Sequence, residues 1–265
     1  MKLGFIAAND LAALEADARF AVEHGFQGLE FNYWQPFDDL TAETVARMRE
    51  ILDRHGLACS SFGLWGRNHL SPDPQERAAA HDALRRAIEF AKTIGAEVLT
   101  TGGGQFSPDD QDANIEEFAK VFPPFVEEAT KAGMRVAIYP VHGGSFFRSV
   151  ADYERVWEKG LDVGIKFDPA NWRHAGLDYL AALRDHADKV AHVHIKEHLY
   201  LNGKLASQPA AGMGDIEWGK VMAFLYEANY DGYLSIEPHG PKWSRPPLRE
   251  KMLLLTRRHI AQFLL

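Results

Sequence analysis

Three short stretches each close an apolar run with side chains that can bind a cation or move a proton. They are Lys166-Phe167-Asp168-Pro169, Val190-Ala191-His192-Val193-His194-Ile195-Lys196-Glu197 and Ser235-Ile236-Glu237-Pro238-His239. In the second, His192, His194 and Lys196 alternate with Val193 and Ile195. Successive side chains of a strand point to opposite faces, so the two imidazoles and the ammonium share one face. Asp168, His194 and Glu237 together supply two carboxylates and one imidazole. That set suits a divalent ion such as Mn²⁺, Mg²⁺, Co²⁺ or Zn²⁺ and leaves positions open for substrate oxygens. The alternative is a buried ion-pair network with Lys166 and Lys196 that holds no metal.

The elements that must bring these stretches together repeat one pattern: a helical segment, a glycine, then an apolar strand. The glycines are Gly25, Gly56, Gly95, Gly133 and Gly160, with Asn229 in the same role. A residue just past a helix end often adopts the left-handed conformation that glycine, and less readily asparagine, tolerates. The pattern predicts strands near 3–8, 28–33, 58–64, 97–102, 135–141, 163–168, 190–196 and 233–237. Helices are expected near 10–24, 41–55, 74–94, 112–132, 150–158, 178–187, 217–228 and 245–264. Asp73-Pro74-Gln75-Glu76 offers an N-cap, a proline at the first helical position and a capping-box glutamate; Ser149 and Asp152 mark the fifth helix. Eight strand–helix units without a linker-like break predict a (β/α)₈ TIM barrel, one domain over 1–265. An open doubly wound sheet would usually carry a Gly-rich phosphate turn after its first strand, and Ala7-Ala8-Asn9-Asp10 has none.

In such a barrel the strand C-termini build the site. Glu30 and Asn32 fall there, as do Asp168, His194, Lys196, Glu237 and His239, and Trp34, Trp65, Trp172 and Trp243 sit in loops on the same face. Those tryptophans either plug the barrel top or form a stacking wall for a sugar ring or an aromatic aglycone. The 265 residues are 46% hydrophobic, enough for a full core, and the net charge of −8 argues against nucleic acid or an anionic membrane surface as partner. The single cysteine, Cys59, excludes an internal disulfide framework, and no apolar run approaches a membrane span or a secretory signal. A cytoplasmic protein is expected.

Four motifs carry a resemblance. Phe167-Asp168-Pro169-Ala170-Asn171, His192-Val193-His194-Ile195-Lys196-Glu197, Gly212-Met213-Gly214-Asp215-Ile216-Glu217-Trp218 and Tyr230-Asp231-Gly232-Tyr233-Leu234-Ser235-Ile236-Glu237-Pro238 occur in this order. Together they resemble the sugar phosphate isomerase/epimerase family, which has the xylose-isomerase-like TIM barrel. It includes ketose 3-epimerases, inosose dehydratases and hydroxypyruvate isomerases. The resemblance implies metal ligation by Asp168, His194 and Glu237, with Glu237 also an acid/base carboxylate. It fails at the fifth strand, where a Glu followed by His is usual and this chain reads Ala137-Ile138-Tyr139-Pro140-Val141-His142. Tyr139 occupies the carboxylate position and His142 is displaced by one residue. A neutral phenol is a poor ligand for Mg²⁺ or Mn²⁺ and a poor base at neutral pH. His142 can fill the gap as fourth ligand or as general base.

The expected function is a divalent-metal-dependent isomerase or epimerase on a small sugar, keto-sugar or polyol derivative, with Mn²⁺ or Mg²⁺ as the leading ions. Glu237 or His142 would remove the proton next to a metal-bound carbonyl, while Lys196 or His239 held the oxyanion. Elimination of a β-substituent instead would give a lyase, dehydratase or deglycosidase, which needs only one base. Glu30, Trp34, Trp65, Trp172, His239 and Trp243 are the expected substrate contacts. No arginine cluster at the strand ends marks a phosphate site. A metal-dependent abasic-site nuclease shares this barrel but would need more ligands and a basic groove. A non-catalytic sugar-binding barrel or a companion subunit also accommodates the loss of the strand-five glutamate, and a homo-oligomer is compatible with either role.

Overall fold

The computed structural model describes residues 1–140 and 144–265, apart from the side chains of Gln35 and Pro36. His142 lies outside the described residues. The barrel strands are β1 (Lys2–Ile6), β2 (Gly28–Tyr33), β3 (Ala58–Leu64), β4 (Val98–Thr101), β5 (Arg135–Ile138), β6 (Gly164–Phe167), β7 (Val190–Ile195) and β10 (Tyr233–Ile236). They close in the order β1-β10-β7-β6-β5-β4-β3-β2, all parallel, with Leu3 beside Leu234 and Phe5 beside Ile236 at the seam. This is the expected (β/α)₈ barrel. Between the strands run α1 (Leu11–Glu23), α2 (Ala42–His55), α3 (Pro74–Ile94), α4 (Gln111–Val121), α5 (Pro123–Lys131), α6 (Val150–Glu158), α7 (Pro169–His174), α8 (Tyr179–His186) and α9 (Trp218–Glu227), and α10 (Leu248–Ala261) follows the last strand.

The local signals act as their chemistry requires. Asp73 accepts from the backbone N–H of Gln75 at 2.7 Å and of Glu76 at 3.2 Å, with Pro74 opening α3. Glu76 does not close a capping box; it accepts from Ser71 Oγ at 2.5 Å. Ser149 and Asp152 do form one at α6. Gly95 ends α3 with φ of 74°, where a Cβ would be strained. The single helix expected over 112–132 is two, because Pro123 lacks the N–H that would continue α4 and instead starts α5. Two elements had no counterpart in the sequence reading. One is α7, capped by Asp168, and the other is the hairpin β8 (Leu199–Leu201) and β9 (Lys204–Ser207). The hairpin turns through Asn202 and Gly203, both at positive φ.

Alternation along the strands sorts the side chains into two layers. The outward set packs on the helices: the Phe5 ring lies 6.0 Å from Phe20 of α1, and Tyr33 reaches Met48 Sδ of α2 at 3.4 Å. The inward set is largely polar. Ser61 and Thr100 share a 2.7 Å hydrogen bond, and Glu30, Lys166, His192 and His194 are all buried in the lumen. Among the described residues, no helix is long and apolar enough to cross a membrane.

Candidate active site

A cavity of about 500 Å³ opens at the C-terminal ends of the strands. Its floor carries Lys166, His194, Lys196 and Glu237, and its walls carry Asn32, Trp34, Trp65, Tyr139, Asn171, His174 and His239. Asp168, His194 and Glu237 each offer a ligand atom, and the three atoms lie within 4.8 Å of one another. His194 Nδ1 is 2.9 Å from Glu237 Oε2. Lys196 Nζ sits 3.3 Å from the Glu237 carboxylate and 3.9 Å from Asp168 Oδ2. His239 Nδ1 is 3.1 Å from Glu237 Oε1. Burial opposes charge on Glu237, but the Lys196 ammonium and the His194 and His239 contacts outweigh it and hold the carboxyl well below its ordinary range.

Below the cavity the alternation of β7 brings both imidazoles onto one carboxylate. His192 Nε2 is 2.8 Å from Glu30 Oε2 and His194 Nε2 is 2.7 Å from Glu30 Oε1. Asn32 donates to Glu30 Oε1 at 2.8 Å, and Trp65 Nε1 donates to Asn32 Oδ1 at 2.8 Å. A polar chain thus runs from the mouth to His194. Burial resists the Glu30 charge, yet His194 and His192 pull the carboxyl well below its usual range. Glu30 does not line the cavity and is fully buried, which corrects the expectation that it touches substrate. Its two oxygens are taken by His192 and His194, so it supports His194 instead.

At the strand-five position the Tyr139 hydroxyl donates to Asp168 Oδ2 at 3.1 Å, and Asn171 Nδ2 contacts both that hydroxyl and Asp168 Oδ2, the latter at 2.9 Å. Burial first, then the Asp168 and Glu237 charges, push the phenol well above its ordinary range, so Tyr139 stays a neutral donor. Lys166 Nζ lies 2.9 Å from His194 Nδ1, 4.0 Å over the Tyr139 ring and 5.4 Å from the Trp65 ring. Burial lowers its pKa against the opposing pull of Glu30, Glu237 and Asp168. Burial also disfavours a charged His194, but Glu30 overrides it and raises the ring. The Nδ1 lone pair therefore has several claimants: a ring proton shared with Glu237, an N–H of Lys166, or a cation.

Residues 18–258 match the model of the xylose isomerase-like TIM barrel family. The chain belongs to this family. It is 26% identical to the inosose dehydratase of Lactiplantibacillus plantarum, over 97% of this chain and 90% of that protein. Among solved structures, the IolI protein with a bound zinc atom superposes with a TM-score of 0.81 at 16% identity, covering 99% and 98% of the two chains. An L-ribulose 3-epimerase superposes at 0.80 and 18%, covering 99% and 94%. At these identities the structural likeness is one of fold.

Within this xylose isomerase-like barrel the tryptophans divide. Trp34, 46% exposed, stacks on Trp65 with ring centroids 6.0 Å apart, and both line the cavity. Trp172 and Trp243 do not line it, contrary to expectation. Trp172 is buried with its ring 5.7 Å from that of Phe167, and Trp243 packs partly buried against the core. Asn171 and His174 line the cavity instead. The signal for them was the Asp168-Pro169 pair, an N-cap and first-turn proline that start a helix beside the site.

Proposed function

We propose that this protein is a divalent-metal-dependent enzyme that removes the proton next to a carbonyl of a sugar, keto-sugar or polyol derivative. The observation that carries the reading is the grouping of Asp168 with His194 and Glu237, whose ligand atoms lie within 4.8 Å of one another, while His194, Glu237 and Lys196 line the cavity that Trp34 and Trp65 also line. The donor set fits a divalent ion: two carboxylates and an imidazole lie close enough to share one cation, and their oxygen and nitrogen atoms suit Mn²⁺ or Mg²⁺, with Co²⁺ or Zn²⁺ as alternatives. Such an ion supplies Lewis acidity, polarising the carbonyl and its neighbouring hydroxyl. Glu237, its carboxyl held well below the ordinary range and so ionised at neutral pH, would take the proton, and Lys196, 3.3 Å from it, would hold the oxyanion. His142 is the alternative base or a fourth ligand. The stacked tryptophans offer a flat apolar wall for a ring face.

Return of the proton gives isomerisation or epimerisation. Elimination is the second reading, favoured by Tyr139, which supplies no second base on that side, and by the inosose dehydratase relative. Metal titration of the purified protein with elemental analysis tests the proposal. About one ion per chain is expected in the wild type, and loss of it in Asp168→Ala, since removing one charged ligand unbalances the rest. A wild type that takes up no ion, or an undiminished variant, contradicts the metal site.

A further inference from the structure

The lumen holds a cation of its own at one corner of the ligand set. Lys166 reaches up from β6 so that its Nζ stands 2.9 Å from His194 Nδ1, the ring atom that also faces Glu237 Oε2 at 2.9 Å. The other ring nitrogen is committed to Glu30 at 2.7 Å. Lys166 is 2% exposed, and its nitrogen also lies over the faces of Tyr139 and Trp65. Among the described residues, no carboxylate oxygen lies within ion-pair distance of its nitrogen, whereas Lys196 has two carboxylate partners.

The geometry points to Lys166 as an internal competitor for the divalent ion at His194. This rests on the metal reading above and adds to it a device that weakens the site. The two lysines differ in what they take from the ligand set. A carboxylate has two oxygens and several lone pairs, so Lys196 leaves Asp168 and Glu237 free to ligate through others. An imidazole nitrogen has one lone pair, so in the tautomer that leaves Nδ1 unprotonated, the form a metal needs, an N–H of Lys166 at 2.9 Å uses the whole ligand. Charge acts in the same direction. Glu30, Asp168 and Glu237 face Lys166 and Lys196, a formal excess of one negative charge. A divalent ion turns that excess into one positive charge in a buried site; without Lys166 the loaded site is neutral. Binding must therefore swing the ammonium off His194, away from its two aromatic faces.

The test is Mn²⁺ affinity by calorimetry for the wild type, Lys166→Met and Lys166→Gln, with thermal melts of each variant to establish folding. Methionine keeps the length of the stem and removes the cation; glutamine keeps an N–H without charge and covers the case in which the methionine variant does not fold. Lys166→Met is expected to bind Mn²⁺ about ten- to a hundredfold more tightly than wild type, and to show the larger rise in melting temperature on adding Mn²⁺. Binding by the variant alone supports the competitor role while removing the ion from the wild-type mechanism. Equal or weaker affinity in the variants, with measurable binding in wild type, overturns the competitor role and leaves the metal site standing. No binding in any of the three proteins overturns both.

Discussion

At the scale of single residues, the site is organised by what each side chain can still offer once its neighbours are satisfied. Glu30 illustrates this. Its two oxygens hold His192 and His194 by their Nε2 atoms, which turns His194 Nδ1 toward Glu237 and the cavity. A carboxylate behind a ligating imidazole fixes its tautomer and raises its basicity. Glu30→Gln, of nearly the same volume, is therefore expected to lower Mn²⁺ affinity about ten- to a hundredfold, measured by calorimetry; unchanged affinity would show that Glu30 is only packing. The alternation His192, His194, Lys196 was plain in the sequence, because period two on an apolar strand has one meaning. The partner of the pair was not, since Glu30 lies 164 positions from His194 and only closure of the barrel brings them together.

At the scale of elements, the loop following β7 is held by one buried carboxylate. Glu197 accepts from the backbone N–H groups of His198, Asp215 and Ile216 through Oε1, and from Gly212 N and Trp218 Nε1 through Oε2. Five donors on one side chain tie β7 to the segment that leads into α9. Glu197→Ala leaves four of them without this acceptor, Asp215 N keeping its 2.9 Å bond to the His198 carbonyl, and is expected to cost about 3 kcal/mol of stability, read from denaturant unfolding; a loss within experimental error would mean that water replaces the carboxylate. The motif Gly212-Met213-Gly214-Asp215-Ile216-Glu217-Trp218 was visible in the sequence, and its physical reason is this anchorage: a Cβ on Gly214 would stand 2.6 Å from Glu197 Oε1. The hairpin β8–β9 carries the Asn202-Gly203 turn signal, but it is an antiparallel insertion that the strand–helix repeat does not predict.

At the scale of the whole molecule, the same closure that builds the site buries polar groups throughout the barrel, and this makes stability depend on pH. His69 is fully buried, its Nε2 2.9 Å from Thr101 Oγ1, and burial pushes its pKa from 6.5 down to about 3. The unfolded chain takes up this proton near pH 6.5, while the folded chain refuses it until about pH 3. The contribution is thus complete above 6.5 and declines as pH falls toward 3, by about 1.4 kcal/mol per pH unit. In His69→Gln, unfolding free energies at pH 6.5, 5.5 and 4.5 should fall less steeply than wild type by that amount; parallel profiles would contradict a neutral buried ring. The barrel itself was legible from the repeated helix–glycine–strand pattern and the length of the chain. Which tryptophans face the cavity was not, because Trp172 and Trp243 lie in loop and helix segments whose direction depends on packing, and only Trp34 and Trp65 line it.

The central claim is that Glu237 and a divalent ion at Asp168 and His194 labilise a proton next to a carbonyl. Solvent exchange in D₂O measures it most directly, with ketoses, cyclic keto-polyols and keto-glycosides as substrates and saturating Mn²⁺. Deuterium should enter the carbon beside the carbonyl only when the ion is present, whether the product is an epimer, an isomer or an eliminated sugar. Glu237→Gln should slow that exchange about a thousandfold. Exchange that proceeds equally after the ion is removed, or that survives undiminished in Glu237→Gln, would contradict the account.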